Sequence, residues 1–142
     1  MLVRPPIGWF QLVLFAGILI ASTITAICGY QFLTGQGESL YGFIMGAYHL
    51  VLYSMFASAI QSIQKRQTES LRMFAIPTYI MVSTHLLVLA YDALSGTPTE
   101  NIFATYPVGS ISQAAVAALP PALELILLKR HFKHVANLRA AD

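Results

Sequence analysis

Between Arg4 and Glu38 the chain carries no charged side chain. A helix on a soluble surface needs a polar face, whereas a run this long and apolar exceeds the ~20 residues that cross a bilayer core. Three similar runs follow. The apolar stretches cover 8–33, 40–63, 73–94 and 109–129, and a basic tail occupies 130–142. Composition agrees, with 56% hydrophobic and 10% charged residues against about 25% charged in soluble domains. A soluble chain of 142 residues has too much surface in water to hide that much apolar area. The net charge of +2 is too small for a nucleic-acid footprint. A single cysteine, Cys28, excludes a disulfide scaffold.

In lipid, backbone donors and acceptors must be satisfied within the segment, so each run reads as a helix. The expected fold is all-α: one domain, an antiparallel bundle of four transmembrane helices. Turn residues punctuate it, with Thr34-Gly35-Gln36-Gly37-Glu38-Ser39 after the first run and Ser95-Gly96-Thr97-Pro98 after the third. Orientation follows from the cations. Arg4, Lys65, Arg66, Arg72, Lys129, Arg130, Lys133 and Arg139 are all the Lys and Arg present. They fall at the N-terminus, in the middle connection and in the tail, which predicts cytoplasmic termini. That rule does not choose between the endoplasmic reticulum and a bacterial inner membrane. The first run exceeds the 7–15 residues of a signal-peptide core and is expected to be retained. His131 and His134 belong to the basic tail, which is expected to continue the fourth helix among lipid headgroups. Gly42 and Gly46 form a GxxxG, a close-packing pattern that could serve within the bundle or in a homo- or hetero-oligomer.

Ionisable groups inside a bilayer are costly and point to function. His49 lies nine residues from the outer end of the second run and His85 nine from the outer end of the third. At 1.5 Å per residue both are roughly 13–14 Å deep, near the middle of a ~30 Å core. Gly42, Met45, Gly46, His49 and Tyr53 follow one helical face, and Thr78, His85 and Asp92 repeat every seven residues. Asp92 lies near the outer interface. In the fourth run Glu124 shares a face with Gln113 and follows Pro120-Pro121. Those prolines lack amide donors, release the carbonyls of Val116 and Ala117, and predict a kink.

Three readings remain open. The first is a cofactor-independent membrane enzyme in which His49, His85 and Glu124 move protons on a sterol- or terpenoid-like substrate drawn from the bilayer. Tyr48, Tyr53, Tyr79, Tyr91, Asp92 and Gln113 would line its pocket. The second is a b-type haem electron carrier, with His49 and His85 as axial ligands. The third is a non-catalytic subunit of a larger membrane complex. Missing parts exclude other classes: the first run has no acid, no lysine lies mid-membrane, no CxxC exists, and four histidines are too few for a di-iron desaturase.

The stretch Arg72-Met73-Phe74-Ala75-Ile76-Pro77-Thr78-Tyr79-Ile80-Met81-Val82-Ser83-Thr84-His85, with Ala118-Leu119-Pro120-Pro121 before a basic tail, resembles the four-span sterol-isomerase and sigma-two-receptor (EXPERA-type) superfamily. The resemblance covers about forty residues. It implies a lipid-facing cavity for sterols or cationic amphiphiles, with His85 and Glu124 among its lining. Two features depart from that pattern: the first run has no acidic residue, and the loop after it is short.

Overall fold

The computed structural model describes residues 4–36, 40–65, 70–95 and 110–141, excluding the side chains of Asp92, Ser95, Ser110, Arg139 and Ala141. Four helices make up the described chain: α1 (Gly8–Leu33), α2 (Leu40–Gln64), α3 (Ser70–Ser95) and α4 (Ser110–Ala141). Each is long and apolar enough to cross a membrane. The ends of α1 and α2 match the expected runs to within a residue. α3 begins three residues earlier, at Ser70, whose side chain is buried. α4 extends through the basic tail, as a helix of 32 residues. At 1.5 Å per residue that is about 48 Å, so its Lys/Arg-bearing end outruns a ~30 Å core.

Polar side chains in these helices turn back on their own backbone. Thr23, Thr25, Ser54 and Thr78 each donate to the carbonyl four residues earlier, at 2.7–2.9 Å. An apolar medium offers no better acceptor, so the bond keeps each hydroxyl satisfied without breaking the helix. α1 stops at Gly35, which takes φ +68, and Gln36 N–H reaches back to Gln31 O at 2.9 Å. This is a helix end that a residue with a Cβ would strain.

The helices pack in sequence, α1 on α2, α2 on α3 and α3 on α4, while α1 and α4 barely meet. Gly17 faces Tyr53, Thr25 faces Gly46 and Gly29 faces Phe43, so α1 and α2 run antiparallel. Phe56 against Phe74 and His49 against His85 give the same sense for α2 and α3. One end of the bundle therefore carries the start of α1, the end of α2 and the start of α3, and Leu125 and Leu128 of α4 share its core cluster with Phe10 (the basal end); the opposite end is distal. The dense core lies basally. Phe10, Phe56 and Phe74 meet pairwise at 5.0–5.5 Å between ring centroids, contacts worth ~0.5–1.5 kcal/mol each beyond burial. Leu14, Leu52, Ile60, Met81, Leu125 and Leu128 surround them.

The α1–α2 seam is set by two glycines. A Cβ on Gly17 would stand 2.8 Å from the Tyr53 ring, and one on Gly46 would collide with the Thr25 side chain. Gly42 and Gly46 are both buried within the chain, with Gly46 against α1. α4 stays helical through Pro120 and Pro121, and α3 through Pro77. Gly46→Ala should therefore destabilise the bundle by ~1–3 kcal/mol through overpacking, read as a lower thermal midpoint in detergent. Gly8→Ala, where nothing lies within 4 Å, should leave the midpoint where it is. Equal midpoints for the two variants would contradict this seam.

Candidate functional site

His49 and His85 are in contact. Their ring centroids lie 5.4 Å apart at 72°, an edge-to-face arrangement. Each ring is fixed by the device that satisfies the hydroxyls. His49 Nδ1 lies 2.7 Å from Met45 O, and His85 Nδ1 lies 2.8 Å from Met81 O. A carbonyl can only accept, so each Nδ1 carries a hydrogen and each Nε2 is the nitrogen left over. His85 is 4% exposed, and its Nε2 is buried with no hydrogen bond. Beside the pair, Tyr48 Oη donates to Thr84 Oγ1 at 2.8 Å and ties α2 to α3. Tyr48 also packs edge-on to His49 at 5.2 Å, with Tyr53 on the ring's other side at 6.0 Å.

In front of His49 lies a cleft of about 340 Å³ formed by α1, α2 and α4, within the ~300–1,000 Å³ of small-molecule sites. Its α2 wall is the predicted stripe of Gly42, Met45, Gly46, His49 and Tyr53, joined by Tyr41. α1 and α4 contribute mostly apolar side chains, together with Gln113. α1 and α4 barely touch, and the cleft lies between them against α2. Val116 and Ala117, whose carbonyls receive no bond from Pro120 and Pro121, are on its wall.

The other expected site residues separate. Glu124 is fully buried but does not line the cleft. It follows Gln113 on the α4 face by eleven residues, roughly 16 Å along the axis, with the two prolines between. The Trp9 indole is the polar group turned toward its carboxyl. Neither carboxyl oxygen has a partner at hydrogen-bond distance and angle. Tyr79 is 57% exposed, on the outside of the bundle, where Lys129 Nζ donates to its hydroxyl at 3.3 Å and stands 5.8 Å from its ring centroid. Tyr91 is 59% exposed. Tyr48 is spent on the α2–α3 tie. Of the six pocket residues expected from sequence, Tyr53 and Gln113 line the cleft. The Asp92 side chain lies outside the described residues.

Axial ligation of haem requires two imidazoles on opposite faces of a flat macrocycle. Here the two rings stand edge to face with their centroids 5.4 Å apart, closer than two rings with a macrocycle between them. Among the described residues no cluster of three or more His, Cys, Asp or Glu is placed to hold a metal ion. Comparison with protein-family models, with curated proteins and with solved structures finds no match to this chain.

Glu124 invites a stability test. Isolated buried charge is costly, and apolar replacements of similar volume are often stabilising. Glu124→Met should keep the fold and raise stability by ~1 kcal/mol or more, measured by thermal unfolding. A clear loss of stability would reveal a partner for the carboxyl.

Proposed function

We propose that this chain is a multi-pass membrane enzyme that takes a sterol- or terpenoid-like molecule from the bilayer and rearranges it by proton transfer. The observation that carries the reading is an imidazole on the wall of a largely apolar cleft, backed by a second imidazole edge to face with it. A buried His pair has no packing advantage over two leucines, and ionisable groups at this depth mark function by default.

The chemistry asks for one proton added to a carbon of a double bond and one removed elsewhere on the molecule. The double bond then moves or a ring closes, with no net change in atoms. His49 is the residue in position to exchange that proton, through Nε2, because Met45 O holds its Nδ1–H. His85 acts through His49: its ring stands edge to face with that of His49, and its unpartnered Nε2 offers the proton a second acceptor. His85 is thus a positioning residue. Tyr53 shapes the wall, and the apolar α1 and α4 faces hold the hydrocarbon. Glu124 does not line the cleft and takes no part in this step. The helix-three and helix-four patterns that resemble the four-span sterol isomerases support the same substrate class.

With all described cations near the basal end, that end faces the cytoplasm on this reading. Two experiments check it. In D₂O, the wild-type protein in lipid nanodiscs should place one carbon-bound deuterium per turnover in a terpenoid or sterol alkene, detected by mass spectrometry. His49→Ala should reduce the rate ~10²–10⁴-fold with the thermal midpoint retained; wild-type turnover in that variant would sink the proposal. For orientation, Cys28→Ala protein with a single new cysteine at Gln36 or at Lys133 can be treated with an impermeant maleimide on intact cells. Gln36→Cys should label directly and Lys133→Cys only after permeabilisation, and the reverse pattern would overturn the assignment.

A further inference from the structure

The hydrogen bonds of the two histidines also specify the head group of the molecule in the cleft, an inference that rests on the reading above. A neutral imidazole has one N–H. In both rings it is committed at Nδ1, to Met45 O and to Met81 O. Both Nε2 atoms are therefore lone-pair acceptors, one on the ring that lines the cleft and one sealed behind it without a partner. Two acceptors cannot satisfy each other. Among the other polar residues of the wall, Gln113 and Tyr41 have interactions of their own, and Tyr53 is turned onto α1, where its hydroxyl lies against Gly17. No Lys, Arg, Asp or Glu lines the cleft, so a carboxylate or phosphate head would enter without a counter-charge.

We propose that the cleft selects a lipophilic alcohol or phenol, whose O–H donates to His49 Nε2, over ketones, esters, ethers and acids with the same hydrocarbon. A ketone or ether oxygen would set a lone pair against a lone pair, which a site built around an acceptor rejects.

Farnesol and farnesyl methyl ether share a chain and differ in that one hydrogen. Their equilibrium binding, as tritiated ligands, to the full-length protein in nanodiscs should favour the alcohol about tenfold. In His49→Phe the ratio should fall to about one. If that variant does not fold, the ¹⁵N signal of His49 Nε2 in the wild-type protein serves instead, moving on addition of farnesol and not of the ether. Equal wild-type affinities for the two ligands would overturn the inference and leave the cleft as a lipid site. A preference that persists in His49→Phe would overturn it as well, by placing the acceptor elsewhere. Binding of neither ligand would overturn both the inference and the reading on which it rests.

Discussion

The side-chain hydrogen bond to the carbonyl four residues earlier organises this molecule. In a medium without water, a donor inside a helix must find an acceptor within reach, and the nearest is on its own backbone. Thr23, Thr25, Ser54 and Thr78 use it, which explains how four apolar helices carry hydroxyls without losing their helical course. His49 and His85 use it too, with a different consequence. A hydroxyl satisfied this way is finished, but an imidazole has a second nitrogen. Tethering Nδ1 to the backbone fixes the ring and leaves Nε2 as the nitrogen outside that bond, the one the proposed chemistry uses. The same bond thus stabilises the fold and prepares the site.

Packing then divides the bundle. The basal half is filled by Phe10, Phe56 and Phe74 and the aliphatic groups around them. In the distal half, α1 is drawn onto α2 by Gly17 and Gly46 and has little left to offer α4. The gap between α1 and α4 is the cleft. A tight seam on one side of α1 thereby produces an opening on the other, with His49 on its wall and His85 behind.

Much of this was legible in the sequence. Long apolar runs gave four helices, and antiparallel counting put His49 and His85 at one depth, where their rings stand edge to face. The stripe from Gly42 to Tyr53 lines the cleft residue for residue, because a face shared at helical spacing stays shared in three dimensions. What periodicity cannot supply is the rotation of each helix against its neighbours. Tyr79 and Tyr91 are on α3 but face outward, and Tyr48, one residue from His49, turns to Thr84. Glu124 shares its face with Gln113 yet sits a layer below the cleft. A common face fixes direction about the axis and says nothing of height along it. The GxxxG was readable as a close contact; that its partner is Thr25 of α1 was not.

The central claim is that His49 and His85 handle a proton as one unit on the wall of a largely apolar cleft. The most direct measurement is a double-substitution cycle on the rate of deuterium incorporation, with His49→Ala, His85→Ala and the combined variant assayed in the same nanodiscs. Groups that act together are strongly non-additive. The combined variant should be no slower than His49→Ala alone, within a factor of about two. Losses that multiply, each substitution slowing the other variant as much as it slows the wild type, would show two independent contributions and contradict the account.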